Sequence, residues 1–314
     1  MPVASSGGAR AFRFGLLATQ RSSRAEWANS AKQAESLGFS TLVVPDHFDS
    51  QLAPIPALMA AADATTNLRL GTLVLNNDFR HPLALAKEAA TLDLLSDGRL
   101  ELGLGAGFRQ ADYLATGTRF DASALRVDRF EEAVHVIKAA FRMEPVTFSG
   151  KHYQVSDYRS FPPTVQAHLP LMIGGGGARI LRLAGREANI VGIAANLGAA
   201  QPDVGRDYVS DRIEQKIAWV KEGAGDRFAE IELQTLVPLL VSSHDRRGAL
   251  VSAADRLGLT PEQADDALLL LVGSVDEMVD RLVARRQRFG ISYVVFYADA
   301  MEAAAPIVAR LAGI

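Results

Sequence analysis

Apolar residues follow two rhythms along this chain. In eight short stretches nearly every position is apolar: Phe12–Thr19, Thr41–Asp46, Leu68–Leu75, Arg99–Gly105, Leu171–Ile173, Asn189–Ile193, Ile231–Val241 and Ser292–Tyr297. Continuous apolar runs of this length predict strands buried on both faces, as in a parallel sheet. Between them the apolar positions recur every three or four residues, which predicts amphipathic helices. In Arg24–Phe39, Trp27, Ala31, Ala34 and Leu37 share one face and Gly38 ends the pattern. The same rhythm appears in Pro56–Thr65, His81–Gly98, Ala122–Arg142, Ala178–Ala188, Ser210–Gly225, Ser274–Gly290 and Met301–Gly313.

Eight strands, each followed by a helix, predict an α/β fold of the (β/α)8 TIM-barrel type. An open doubly wound sheet is the rival, but its dinucleotide fingerprint is missing. In GLGAGF the last position is Phe108, where G-x-G-x-x-G requires glycine. Two insertions interrupt the alternation. Met143–Leu169 follows the fourth unit's helix and contains a predicted hairpin, VTFSGKHYQV; Ser242–Leu271 follows the seventh strand and is polar and helical. Residues 1–10 read as a flexible tail without the apolar core of a signal peptide, and 11–314 as one domain.

Composition narrows the functional classes. The 314 residues carry a net charge of -3, which speaks against nucleic acid or a membrane surface as a charge-driven partner. No apolar run reaches the roughly 18 residues of a membrane span. There is no cysteine, so disulfides, thiolate catalysis and Cys-ligated zinc are excluded, and a reducing cytoplasm is the expected location.

In a TIM barrel the chemistry sits just after the strands. The second strand is followed by Asp46, His47 and Asp49, and the third by Asn76, Asn77, Asp78, Arg80 and His81. The fourth is followed by GAGFRQADY and the fifth by GGGGAR, Gly174–Arg179. A metal is not expected, because no His-x-His ends the first strand and the other histidines are scattered. A serine-nucleophile elbow and a P-loop are also missing. His47 is the best polar candidate, against the reading of a packed or capping histidine. Gly174–Gly177 precede a helix opening at Ala178, whose first amides and dipole suit an anion. Arg179 and Arg182 in its first turns favour an anion further if unpaired. The bland alternative is a tight turn that needs positive φ, for which one glycine suffices.

The stretches AESLGFSTLVVPDHF, NLRLGTLVLNNDFRHPLALAKEAATLDLLSDGRLELGLGAGF, PLMIGGGGARILRLAGREANIVGI and LVGSVDEMVDRLVARRQRFGISYVVF together resemble the luciferase-like monooxygenase superfamily. The closest resemblance is to its actinobacterial branch of F420-dependent oxidoreductases. That resemblance implies coenzyme F420 lying across the C-terminal mouth of the barrel, with FMN as the alternative cofactor. It implies a bulge in the third strand with a non-proline cis peptide at Leu73-Val74, backing the ring. Asp46 matches an aspartate that contacts the deazaflavin, and His47 a histidine at the hydride-transfer centre. Gly174, Gly175, Gly176, Gly177 and Ala178 match the phosphate loop, and Gly105 and Ala106 the loop after the fourth strand. Asn76 is counted with the cofactor contacts. Sugar-phosphate dehydrogenases of the branch carry a catalytic glutamate where this chain has Phe108, so a more apolar small-molecule substrate is expected. An FMN monooxygenase and a non-catalytic flavin-binding barrel are the rival functions. A homodimer through Ala57–Leu68 and His81–Leu95 is also expected. Valine at Gly175 or Gly176 should block the cofactor and leave the fold intact.

Overall fold

The computed structural model describes residues 10–19, 23–142, 144–197 and 203–314. The expected tail lies outside the described residues except for Arg10. That residue is anchored, its guanidinium donating to the carbonyls of Ala229 and Glu230 at 3.1 and 2.6 Å.

In chain order the elements are β1 (Arg13–Leu17), α1 (Arg24–Ser36), β2 (Thr41–Val44), α2 (Pro54–Ala64), β3 (Arg69–Thr72), β4 (Leu75–Asn76), α3 (Pro82–Leu95), β5 (Leu100–Gly105), α4 (Gln110–Thr116) and α5 (Ser123–Phe141). Then come β6 (Val146–Ser149), β7 (Gln154–Tyr158), β8 (Leu171–Gly175), α6 (Ala178–Glu187), β9 (Ile190–Ile193), α7 (Ser210–Ala224), β10 (Glu232–Val237), β11 (Leu239–Ser242), α8 (Arg246–Leu257), α9 (Pro261–Asp266), β12 (Leu270–Gly273), α10 (Val275–Phe289), β13 (Ile291–Tyr297) and α11 (Met301–Leu311). Helix starts follow local chemistry. Ser23 with Glu26, Thr260 with Gln263 and Ser274 with Glu277 form reciprocal caps.

The parallel strands run in the order β3-β2-β1-β13-β10-β9-β8-β5, and a β3–β5 pairing closes the ring. The chain is therefore a (β/α)8 TIM barrel. At the N-terminal ends of the strands the barrel is plugged by an ion network: Arg13 lies 2.7 Å from Glu101 and 2.6 Å from Glu232, and Arg69 lies 2.6 Å from Glu101. Above the plug, Leu17, Val43, Met172, Ile190, Tyr293 and Val295 fill the interior, with Leu73, Leu236 and Tyr297 packed on them. Layers of this kind leave the C-terminal ends of the strands as the open mouth.

Two strands differ from their sequence reading. Leu68–Leu75 is not continuous: it breaks between β3 and β4 at a cis Leu73-Val74 peptide, where the family resemblance places it. Ile231–Val241 divides at Pro238. Proline has no N–H for the ladder, so the barrel strand ends at Val237. The chain then leaves as β11, which pairs in parallel with β12 in a separate two-stranded sheet. The second insertion thus holds the expected helices α8 and α9, with this sheet at its two ends, while the first holds the expected hairpin, β6 against β7.

The apolar faces of the two helices expected at a dimer contact are largely used within the chain. Ala57, Leu58, Ala61 and Ala62 of α2 and Leu85, Ala86, Ala89, Ala90 and Leu92 of α3 are buried, while Leu94 and Leu95 are exposed. Among the described residues no helix is long and apolar enough to cross a membrane.

Candidate active site

Four groups of residues surround the mouth. The first hangs from the end of β2. His47 Nδ1 lies 2.7 Å from the Asp112 carboxylate. An ionised carboxylate only accepts, so Nδ1 carries the hydrogen and, in the neutral ring, Nε2 carries the lone pair. The imidazole edge meets the Phe108 ring at right angles, with centroids 5.9 Å apart. Asp112 is buried and also accepts the Phe48 N–H at 3.1 Å. The His47 side chain is 24% exposed, and among the described residues its Nε2 has no protein partner.

Asp112 was not singled out by the sequence reading, and neither was α4, which presents it. The sequence carries one signal for α4, Gly117, which ends it as a left-handed C-cap.

The second group ties two strand exits together. Asp46 is buried and holds Arg80 through both oxygens at 2.5 and 2.9 Å, and it accepts the Asn76 N–H at 2.9 Å. The Asn76 carboxamide oxygen accepts the Asp78 N–H at 3.1 Å and the Tyr113 hydroxyl at 3.3 Å. Burial pushes the Tyr113 hydroxyl well above its usual pKa, so it stays a donor, bonding Asp78 at 2.9 Å as well. The structure therefore gives both Asp46 and Asn76 a bracing role around the mouth. His81 caps α3 by accepting the Leu83 N–H, and Asp49 pairs with Arg109 at 2.7 Å. The ligand-type side chains after β2 are thus held by separate partners, and among the described residues no three His, Asp or Glu side chains converge as a metal site.

The third group surrounds the break in the third strand. Val74 turns towards β5 and β8. A Cβ on Gly103 would lie 3.3 Å from Val74, one on Gly105 2.8 Å and one on Gly174 3.2 Å. Gly105 and Gly174 make the room that Val74 fills, whereas Gly103 is required first by the Thr72 carbonyl oxygen, which a Cβ there would meet at 1.9 Å. Ala106, the next residue, is buried.

The fourth group is the glycine loop. None of Gly174–Gly177 has positive φ, so a left-handed turn does not explain them. Each answers to a different neighbour. A Cβ on Gly176 would sit 2.3 Å from the Ala195 backbone, and one on Gly175 2.4 Å from the Ile180 side chain. Valine at Gly176 would therefore disturb the fold, contrary to expectation, because its neighbour is backbone that cannot give way. At Gly177, the N-cap of α6, the atoms nearest a Cβ would be those of the Asn196 carboxamide, 3.4 Å away, an ordinary contact. Gly177 opens α6 without a side-chain cap, so the first amides of the helix are left for another acceptor, beside half-buried Ala178. Such a cradle fits the phosphate of a flavin-type cofactor. The two nearby arginines do not strengthen that fit. Arg179 pairs with Asp128 and Glu131, and Arg182 with Glu222 at 2.7 Å, so neither awaits an anion.

Against known proteins, a family profile described as luciferase-like monooxygenase matches residues 10–257. An F420-dependent glucose-6-phosphate dehydrogenase of Amycolatopsis mediterranei (strain U-32) is 29% identical over 62% of this chain and 57% of its own length. A protein of the same name from Nakamurella multipartita is 32% identical over 80% of this chain and 74% of that protein. Among solved structures, the coenzyme F420 dependent tetrahydromethanopterin reductase of Methanopyrus kandleri superposes with a TM-score of 0.78 at 21% identity, covering 96% of this chain and 99% of that one. With a barrel of this topology, a break at Leu73-Val74 and a family match across most of its length, the chain belongs to the luciferase-like monooxygenase family.

Proposed function

We propose that this chain is an F420-dependent oxidoreductase acting on a small, largely apolar alcohol or carbonyl compound. The observation that carries the reading is His47: oriented by Asp112, flanked by Phe108, and with Nε2 at the mouth free of partners among the described residues. Its relatives' names support the cofactor. The cradle at Gly177 and the surface around Val74 would hold it, phosphate at the α6 amides and ring towards the strand break.

Coenzyme F420, when bound, supplies hydride transfer and nothing else. The proton is left to the chain. In the alcohol-oxidising direction His47 Nε2 takes the hydroxyl proton, and the Asp112 carboxylate stabilises the imidazolium that forms. In the reverse direction the same Nε2–H returns the proton to the carbonyl oxygen. Asp112 keeps the ring in one tautomer and one orientation throughout. Phe108 keeps water from the reacting carbon.

The apolar substrate rests on the rim. Phe48 is 52% exposed and Phe108 44%. Arg109, the cation beside them, is already paired with Asp49 and lies 3.7 Å from Asp112. A phosphorylated sugar, named for the relatives, finds a phenyl ring at Phe108 where the family resemblance implies a catalytic carboxylate.

Fluorescence titrations with F420 and FMN, followed by F420 turnover with a panel of secondary alcohols and with glucose 6-phosphate, test the reading. F420 binding and alcohol oxidation are expected. Tighter FMN binding, or turnover of glucose 6-phosphate alone, would overturn it.

A further inference from the structure

Helix α7 packs through Ile213, Ile217, Val220 and Ala224, and Lys216 occupies a position on this buried face. Its side chain is 3% exposed. A lysine there is unexpected, because burying an ammonium costs free energy that an apolar residue of similar length would not. Burial indeed pulls its pKa down to about 8, with the Asp207 carboxylate, 3.6 Å away, acting in the opposite sense and Arg212 in the same sense as burial. The proposed proton chemistry does not use it.

What the ammonium holds is specific. Nζ donates to the Ala194 carbonyl at 2.8 Å and to the Asp207 carbonyl at 2.7 Å. Ala194 directly follows β9, and Asp207 lies three residues before α7. The Ala194 N–H donates to the Gly175 carbonyl at 3.0 Å. Ala195 supplies the backbone against which Gly176 packs. The Asn196 N–H donates to the Asp207 carboxylate at 2.6 Å, and its carboxamide stands beside Gly177. One wall of the glycine cradle is therefore hung from Lys216.

We infer that Lys216 is a positioning residue for cofactor binding: it fixes the 194–197 wall so that the Asn196 carboxamide completes the phosphate cradle in front of α6. The inference rests on the cofactor reading above. It predicts a division of labour, with Lys216 setting cofactor affinity while His47 sets turnover.

The test combines three measurements on wild type, Lys216→Met, Asn196→Ala and the double variant. The first is amide hydrogen exchange at 194–197 in cofactor-free protein, the second F420 affinity by fluorescence titration, and the third melting temperature. Lys216→Met should speed exchange at 194–197, weaken F420 binding about tenfold or more, and leave the melting temperature unchanged or raised. With saturating F420, turnover should stay within about twofold of wild type. Because Lys216 acts through Asn196, the double variant should bind no more weakly than the weaker single variant. Unchanged exchange in Lys216→Met overturns the inference, as do losses that multiply. If Lys216→Met does not fold, Asn196→Ala decides through its exposed side chain: F420 affinity equal to wild type overturns the inference. Faster exchange at 194–197 in a protein that binds no F420 supports the pin and overturns the cofactor reading instead, so the two failures are distinguishable.

Discussion

On one side of the barrel mouth, after β2 and β5, side chains hold side chains: His47 on Asp112, Asp46 on Arg80, Tyr113 on Asn76 and Asp78. On the other side, after β8 and β9, backbone packs on backbone: Gly176 against Ala195, Gly175 bonded to Ala194, and Gly177 open before α6. In the proposed function the first side moves protons and the second receives an anion. A proton carrier needs a side chain with a second group to orient it, whereas an anion cradle needs side chains removed. The two jobs are separable, and variants should separate them.

The largest effect is expected at His47. His47→Ala should lower turnover by about 10²–10⁴-fold, the usual cost of losing a placed proton carrier, while F420 affinity changes less than about threefold. Steady-state kinetics and titration on one preparation check this; a histidine that merely packs would lower melting temperature and spare per-molecule activity. Asp112→Asn should lower turnover about 10–100-fold, since His47 then loses the acceptor that orients its ring. Normal turnover in that variant would remove the pair from the mechanism.

The cradle side has a sharper internal contrast. Gly177→Val should weaken F420 binding about tenfold or more and shift the melting temperature by only a few degrees. Gly176→Val should lower the melting temperature strongly, because its side chain meets the Ala195 backbone. If both variants lose binding with intact folds, the packing explanation for Gly176 fails.

The smallest effect is a pH slope. Lys216 has a folded pKa of about 8, below the ordinary 10.5, so the folded state releases this proton first. Its cost is fully present below pH 8 and fades as pH rises towards 10.5. Wild type should gain stability over that window relative to Lys216→Met, by at most ~1.4 kcal/mol per pH unit. Denaturant melts at pH 7.5 and 9.5 would show it; parallel curves for the two proteins would not fit a buried ammonium.

The contrast also explains what was legible in the chain. The barrel was readable because parallel strands buried on both faces leave continuous apolar runs and helices a three-to-four rhythm. The break in the third strand was legible only through family resemblance, since LRLGTLVL has the composition of an unbroken strand. Pro238 did carry a signal, and the strand stops beside it. His47 could be placed from its position after β2. Asp112 could not, because a helix as short as α4 leaves too little periodicity to show which residue turns inward. The four glycines looked like one motif, yet they have four separate neighbours in space, and Val74, Ile180, Ala195 and Asn196 are far from them in sequence or hidden in the next helix. Lys216 reads locally as an ordinary charged helix residue; only tertiary packing shows that it is buried.

The most direct single measurement is a titration of F420 and FMN against wild type, His47→Asn and Gly177→Val. The account predicts that F420 binds in preference to FMN, that His47→Asn keeps wild-type affinity, and that Gly177→Val loses it. Preference for FMN, or equal losses in the two variants, would contradict a mouth divided between a proton-moving side and an anion-holding side.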